Sequence, residues 1–174
     1  QYDQPVLVRL GTRDEAELRN GFPRTAEELF DYRAVILDDV GAGFFSHEQM
    51  ALLRRFVAER GGGFLMLGGS ESFRRGDFNR TPIGRMLPVY LDRLARNQTG
   101  TKIHFNLTRE GRLQPWARLR DNEQDEQQRL STMPAFRVLN RLGAVKPGAS
   151  VVATVGDDPD VQFPALVVQR YGGG

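Results

Sequence analysis

The 174-residue sequence contains no cysteine. Without a thiol, the chain can form no disulfide, no thiolate-bound metal site and no cysteine nucleophile. Histidine is nearly as scarce, and the only two imidazoles belong to His47 and His104. Neither lies in an H-x-x-x-H or H-E-x-x-H pattern, so the spacing typical of a histidine metal site is missing. We therefore predict no metal and no cofactor for this chain.

Long apolar runs are missing as well. No stretch approaches the ~20 consecutive apolar residues of a transmembrane helix, and no signal-peptide pattern opens the chain. Charge of one sign is not in excess, because 24 basic and 22 acidic side chains leave a net charge of +2. Composition by itself therefore does not indicate a nucleic acid as a partner. With 40% apolar residues, the chain can bury the core of one soluble domain.

Short apolar segments bounded by glycines and caps predict alternating strands and helices in the first half of the chain. The predicted strands are Pro5–Leu10, Ala34–Leu37 and Phe64–Leu67, and the predicted helices are Thr25–Phe30 and Ser46–Arg60. Each helix opens with a capping box, in which Ser or Thr is followed three residues later by Glu or Gln. The second and third strands lack polar alternation, so both faces of each are expected to be buried, as in a parallel sheet.

The second half of the chain predicts more strands than helices. The expected elements are a short helix at Thr81–Leu87, a half-exposed strand at Lys102–Leu107, and strands at Ser150–Val155 and Ala165–Tyr171. A turn at Gly156–Asp160 separates the last two strands and predicts an antiparallel hairpin or meander. Residues 120–131 are polar and mixed in charge, which is typical of either a surface helix or a loop.

Three segments, Gly21–Tyr32, Ala34–Val40 and Glu59–Gly69, together resemble a known family in their order and spacing. The family comprises the glutamine amidotransferase-like domains of bacterial membrane-anchored proteins, which often also carry a von Willebrand factor A domain. Further agreement lies at Leu52–Val57, Ser72–Phe73, Thr81–Ile83, Leu87–Val89 and Val167–Gly172. The resemblance implies a three-layer, flavodoxin-like α/β sandwich similar to class I glutamine amidotransferases. Its sheet would be mainly parallel, with a C-terminal β-rich excursion.

The sequence departs from the family pattern at both ends. Family members usually have a strand and a helix before the segment that matches Pro5–Leu10. They also continue into another strand after the segment that matches Tyr171-Gly172. The resemblance therefore implies that residues 1–174 form a single domain that is a piece of a longer chain. We expect no ordered structure for the terminal Gly172–Gly174.

The catalytic turn of the family is altered in this sequence. Class I amidotransferases hydrolyse glutamine with a cysteine on a sharp strand–helix turn, activated by a histidine. The turn that matches it here reads Gly68-Gly69-Ser70-Glu71, without a thiol. The resemblance and this difference together exclude glutamine hydrolysis by the family mechanism. Ser70 would need a neighbouring base, and the sequence places His47 in the first turn of a helix and His104 in a half-exposed strand.

Polar residues and glycines follow the predicted parallel strands, where ligands usually bind in open α/β sheets. The candidate site is a crevice formed by Asp38, Asp39, Gly68, Gly69, Ser70 and Glu71. Its carboxylates suit a cation or a hydroxylated ligand. Alternatively, one aspartate caps a loop and the other acidic side chains are solvated, because adjacent residues point in different directions.

Three functions stay open. The favoured one is a non-catalytic domain that recognises a small-molecule ligand or a protein, within a membrane-anchored protein of the bacterial envelope. The second is a hydrolase with a site around Ser70, Glu71 and Asp39. The third is polyanion binding through the arginines Arg74, Arg75, Arg80, Arg85, Arg93 and Arg96. Few aromatic residues lie among these arginines, which disfavours nucleic acid as the partner.

Overall fold

The structure is a computed structural model, and it describes residues 8–92, 104–136, 139–140, 142–158 and 161–174. The helices are α1 (Ala26–Phe30), α2 (His47–Ala58), α3 (Pro82–Met86), α4 (Arg109–Leu113) and α5 (Glu123–Thr132). The strands are β1 (Ala34–Leu37), β2 (Gly63–Met66), β3 (Phe105–Leu107), β4 (Ser150–Asp158) and β5 (Val161–Val168). The described part of the chain is therefore an α/β structure.

The first two helices begin where their capping boxes predict. The hydroxyl of Thr25 accepts the backbone N–H of Glu28, and the hydroxyl of Ser46 accepts that of Gln49. The side chains of Glu28 and Gln49 in turn accept the backbone N–H groups of the two capping residues. These reciprocal bonds satisfy donors that have no partner inside the helix. The predicted starts of α1 and α2 are confirmed.

Strands β1 and β2 form a parallel pair, in register from Ala34 opposite Gly63 to Leu37 opposite Met66. Helix α2 connects the two strands, as a parallel connection requires. Its residue Phe56 is fully buried, in the same hydrophobic cluster as Leu37. The parallel pairing predicted from the sequence is confirmed, and it brings the carboxyl ends of β1 and β2 to one edge.

The three later strands form a separate antiparallel sheet in the order β3–β4–β5. Strand β3 pairs with β4 with Leu107 opposite Ala153, and β4 pairs with β5 with Ser150 opposite Val168. The predicted antiparallel hairpin is confirmed. The hydroxyl of Thr108 accepts a backbone N–H of α4 and donates to the carbonyl oxygen of Val151, 2.7 Å away, so this residue fixes α4 on β4.

Two hydrophobic clusters stabilise the described residues. The larger one surrounds α2 and includes the fully buried Leu29, Leu53, Phe56, Phe78 and Ile83. The smaller one consists of Leu107, Leu130 and Ala153, so it joins α5 to the antiparallel sheet. Val167 of β5 and the nearby Tyr171 pack against the larger cluster. The C-terminal strand therefore connects the two halves of the molecule.

The expectation that both faces of β1 and β2 are buried is wrong. Ile36 of β1 is 61% exposed, and Leu65 of β2 is 40% exposed. The larger cluster takes up Leu37, but the side chains on the other face of this short sheet have less cover. A continuous apolar run is therefore not sufficient evidence for a strand buried on both sides.

The predicted strand at Pro5–Leu10 is wrong in its described part, residues 8–10, which form no strand. Arg9 donates hydrogen bonds to the carbonyl oxygens of Glu15 and Glu17, so the segment folds against the following loop. Leu10 is 88% exposed. Residues 5–7 lie outside the described part.

The terminal glycines also differ from expectation, since they are docked on the end of α2. The N–H of Gly173 donates to the carbonyl oxygen of Ala58 at 2.8 Å, and the N–H of Tyr171 donates to that of Gly174 at 2.8 Å. The first bond satisfies a carbonyl that the helix end leaves without a partner, and the second closes a turn within the C-terminal segment. In the described residues, no helix is both long and apolar enough to span a membrane.

The remaining differences concern the bounds of the elements. Residues 120–131, which fitted a helix or a loop, contain most of α5. Helix α3 starts after Thr81 as predicted, whereas α4 is an element that the sequence did not predict. Strand β4 extends into the predicted turn as far as Asp158. Residues 159–160 of that turn and residues 102–103 of the strand predicted at Lys102–Leu107 lie outside the described part.

Candidate functional site

A hydrogen bond joins the loop after β1 to the loop after β2. The Oδ1 atom of Asp39 accepts the backbone N–H of Glu71 at 2.6 Å. Gly69 lies directly against the Asp39 carboxylate, and a Cβ atom at this position would overlap it. The predicted crevice residues Asp39, Gly69 and Glu71 are thus brought together. Asp38 is exposed and makes no side-chain hydrogen bond to any described residue.

Asp39 reaches this position through an unusual backbone conformation. Its φ angle is +48°, in the left-handed region that L-residues seldom adopt. Aspartate tolerates this region better than most residues, because its short side chain can form local hydrogen bonds. The backbone turn at the end of β1 therefore depends on the identity of residue 39.

The segment after β2 is a series of turns that fold on themselves. Three of its residues, Phe73, Asp77 and Arg80, have φ angles between +55° and +63°. Gly76 packs so tightly on Glu71 that a Cβ atom would overlap the Glu71 carbonyl oxygen. The carbonyl of Gly76 accepts the N–H of Ala42 at 2.7 Å. The segment is therefore held against the chain that follows β1.

Ser70 lacks the surroundings of a nucleophile. A serine elbow is a strained strand–turn–helix, but Ser70 has no positive φ, and α3 begins only at Pro82. Its hydroxyl is exposed and forms no hydrogen bond within the described residues. His47 is the first residue of α2 and exposed, and His104 precedes β3 in the other sheet. No described imidazole is therefore hydrogen-bonded to Ser70.

One contact of the crevice was missed by the sequence analysis. The Nδ2 atom of Asn140 donates to the carbonyl oxygen of Gly69 at 2.8 Å, across 71 positions in the sequence. A Cβ atom at Gly68 would lie 2.5 Å from the Oδ1 atom of Asn140. Asn140 belongs to no motif, and only the tertiary structure brings it to the glycines. It links the loop after β2 to the segment before β4.

The acidic residues of the crevice are not arranged as a metal site. Among the residues that the structure describes, no group of three or more acidic or histidine side chains is placed to bind a metal ion. One oxygen of Asp39 is already engaged by the Glu71 N–H. Four exposed arginines follow the crevice residues in the sequence, namely Arg74, Arg75, Arg80 and Arg85. None of them forms an ion pair with a described residue. Arg93 and Arg96 lie outside the described part.

Parallel strands joined by a helix, with glycine turns at their carboxyl ends, define an α/β domain that fits the flavodoxin-like fold. The sequence matches the model of a family described as "Putative glutamine amidotransferase" over residues 10–174. The chain belongs to this glutamine amidotransferase-like family. No curated protein matches it.

A solved structure also resembles the chain. It is "Cytoplasmic Protein STM3548 from Salmonella typhimurium", with a TM-score of 0.64 and 21% sequence identity. The match covers 90% of this chain and 63% of that one, so this chain spans somewhat less than two thirds of the Salmonella protein. At this identity the likeness concerns the fold alone.

Proposed function

We propose that this chain is a non-catalytic amidotransferase-like domain that recognises a ligand or a protein partner within a larger protein of the bacterial envelope. The hydrogen bond between the Asp39 carboxylate and the Glu71 N–H carries the proposal. In a nucleophile elbow, the N–H of the residue after the nucleophile stabilises the oxyanion of the intermediate. The corresponding donor here belongs to Glu71 and is occupied by a side chain.

Charge strengthens this argument. An oxyanion that developed near Ser70 would face the Asp39 carboxylate instead of an open donor. Like charges at such short range raise the energy of the intermediate. The absence of cysteine from the sequence removes the usual nucleophile as well. Both differences favour a domain that has kept the fold without the chemistry.

In fold terms, the proposal treats the described elements as parts of a three-layer sandwich with a β-rich excursion near the C-terminus. The β1–α2–β2 unit would belong to the parallel sheet and its helical layer, and β3–β4–β5 would be the excursion. The likeness to the Salmonella protein over 90% of the chain supports a common architecture. The envelope location rests on the sequence resemblance alone, and the Salmonella protein is called cytoplasmic. Fractionation of cells that express the parent protein distinguishes the two locations.

The experiment that tests the lack of catalysis compares the natural chain with Ser70→Ala. Ammonia release from L-glutamine and hydrolysis of p-nitrophenyl acetate are measured for both proteins. We expect equal, background rates, because Ser70 has neither a base nor an open oxyanion donor. A turnover that disappears in folded Ser70→Ala would establish the alternative hydrolase and overturn the proposal.

Recognition is tested by native mass spectrometry of the gently purified protein. A retained molecule or subunit should be lost in Gly68→Ala, because the added methyl group would press on Asn140. Gly43→Ala is the matched control, since a Cβ atom there meets no other atom within 4 Å. A bound species that survives Gly68→Ala unchanged would place recognition outside the crevice.

One observation favours a second function, polyanion binding. Arg74, Arg75, Arg80 and Arg85 are exposed, and no described carboxylate pairs with them. Binding of this kind weakens steeply with salt. Retention on heparin that falls with ionic strength, and that falls further in the Arg74→Ser/Arg75→Ser double variant, would support it. Salt-independent behaviour would leave ligand or protein recognition as the proposal.

A further inference from the structure

An apolar cavity of about 230 Å³ lies between the end of β2 and the antiparallel sheet. Most of its wall is aliphatic and aromatic, and it includes Leu67, Phe73, Phe105, Phe136, Leu142 and Leu166. Among the described residues that line it, none is acidic, basic or a histidine. A charged ligand would lose its hydration there without gaining a partner, so the cavity suits a neutral molecule.

The cavity leaves apolar surface in contact with solvent. Three of its lining residues, Leu65, Leu67 and Phe136, are 40%, 39% and 48% exposed. A patch of large exposed apolar side chains commonly marks a binding site for a ligand or a protein. A ligand in the cavity would cover these side chains, and its binding would be favoured in proportion to the apolar surface removed from water.

One polar group lies at the edge of this apolar cavity. Asn140 lines it together with Gly68, and its Nδ2 atom is fixed by the bond to the Gly69 carbonyl. That bond sets the orientation of the amide, so the acceptor atom Oδ1 lies beside Gly68. No described group donates a hydrogen bond to Oδ1. The cavity therefore offers one oriented acceptor within an apolar wall.

We propose that this cavity binds a neutral two-ring aromatic molecule that carries a single N–H or O–H donor. This inference rests on the proposed recognition function and names its ligand class. Size supports it, because an apolar cavity of roughly 150 Å³ accommodates benzene, and 230 Å³ leaves room for a second fused ring. The rings of Phe73, Phe105 and Phe136 provide faces and edges for aromatic contacts. The donor pairs with the Asn140 oxygen.

The test uses indole, which has two fused rings and one N–H donor, and N-methylindole, which has the same rings without the donor. Each is titrated into the protein while nitrogen–proton correlation spectra are recorded. We expect saturable shifts at Gly68, Asn140 and Leu166. Loss of one hydrogen bond should make N-methylindole bind about five- to tenfold more weakly.

Two variants locate the binding site. Ala165→Trp places a large side chain at an exposed position of the cavity wall and should abolish binding. Ala144→Trp is the matched control, because Ala144 is also exposed but does not line this cavity, and binding should persist. In Asn140→Leu, the difference between indole and N-methylindole should disappear while the rings still bind.

Two results would overturn the inference: no saturable shift with indole, or shifts that Ala165→Trp leaves unchanged. The failure of this inference differs from that of the proposed function. Turnover that depends on Ser70 would refute the non-catalytic role while indole binding persisted. If the protein neither bound indole nor showed Ser70-dependent turnover, the aromatic ligand would be refuted, and recognition of a protein would remain as the proposed function.

Discussion

The carboxylate of Asp39 and the backbone N–H of Glu71 lie 2.6 Å apart, so a single hydrogen bond joins the loops that follow the two parallel strands. Both sides of this contact are conformationally constrained. Asp39 has a positive φ angle, and the carbonyl of Glu71 leaves no room for a side chain at position 76. The bond holds the two loops together and occupies the donor beside Ser70.

Replacement of Asp39 should show how much its hydrogen bond and its tolerance for a positive φ angle together contribute to stability. Asp39→Ala loses both the hydrogen bond and the tolerance for the left-handed conformation, so we expect the free energy of unfolding to fall by about 1–3 kcal/mol. Asp39→Asn keeps an acceptor oxygen and the tolerance for a positive φ angle. Its free energy of unfolding should therefore fall by less than about half as much as that of Asp39→Ala. Urea denaturation measures both. Equal losses of stability in the two variants would show that neither the acceptor oxygen nor the tolerance for a positive φ angle accounts for the loss.

Introduction of a thiol should not restore the family chemistry. We expect Ser70→Cys to release no ammonia from glutamine above the rate of Ser70→Ala, because no described imidazole is hydrogen-bonded to residue 70. The Glu71 N–H also stays engaged by Asp39. Thiol titration confirms that the new cysteine is accessible. A measurable glutaminase rate in Ser70→Cys would contradict our account of the turn.

Gly76 should tolerate no side chain. In Gly76→Ala, the new methyl group would overlap the Glu71 carbonyl oxygen, which belongs to the backbone and cannot rotate away. We expect the free energy of unfolding to fall by about 2 kcal/mol or more. Gly43→Ala, at a position with open space, should change it by less than about 0.5 kcal/mol. Urea midpoints of the two variants, compared directly, test this contrast.

The pair formed by Tyr32 and Glu17 should make stability depend on pH at both extremes. The hydroxyl of Tyr32 donates to Glu17 at 2.6 Å. Burial, followed by this bond, raises the pKa of Tyr32 from 10.0 to about 12. The same bond is the main cause that lowers the pKa of Glu17.

The signs follow from linkage. The contribution of Tyr32 is complete below pH 10 and is lost as the pH rises towards about 12. The contribution of Glu17 is present above the ordinary pKa of a glutamate and is lost as the pH falls through its lowered pKa. A plot of the urea unfolding midpoint against pH should therefore be flatter for Tyr32→Phe than for the natural protein, at both low and high pH. Parallel curves for the two proteins would contradict this assignment.

The same substitution at two serines should have opposite effects. Ser72 is 1% exposed, and its hydroxyl has no hydrogen-bond partner among the described residues. A buried hydroxyl without a partner costs about 1–3 kcal/mol, so Ser72→Ala should stabilise the fold by about 1 kcal/mol. Ser46 caps α2, and Ser46→Ala should destabilise it by about 1 kcal/mol. A loss of stability in Ser72→Ala would indicate that its hydroxyl is satisfied in solution.

The sequence predicts local features of this fold well. Helices α1, α2 and α3 begin after Thr25, Ser46 and Thr81. The side chain of each of these residues accepts the backbone N–H three residues further on, so the signal lies within four consecutive residues. The antiparallel hairpin is local as well. The exposure of Ile36 is different, because it depends on what covers the sheet, and the apolar run around this residue contains no such information.

The candidate site is predictable only in outline. Parallel pairing predicts that the ends of β1 and β2 meet, and the structure places Asp39 beside Gly69 and Glu71. The sequence does not distinguish Asp38 from Asp39, because the difference comes from the positive φ of residue 39. Asn140 reaches the crevice from a distant segment, and a lone asparagine gives no signal of such a contact.

The bond from Gly173 to the carbonyl of Ala58 has a mechanical consequence. Tension applied to the backbone at Gly174 acts on the last turn of α2 before it acts on β5, because the glycines are docked on the helix end. A single backbone hydrogen bond yields at low force, whereas the paired strands β4 and β5 share the load along their ladder. The docked glycines would therefore peel from α2 first, with the antiparallel sheet still intact.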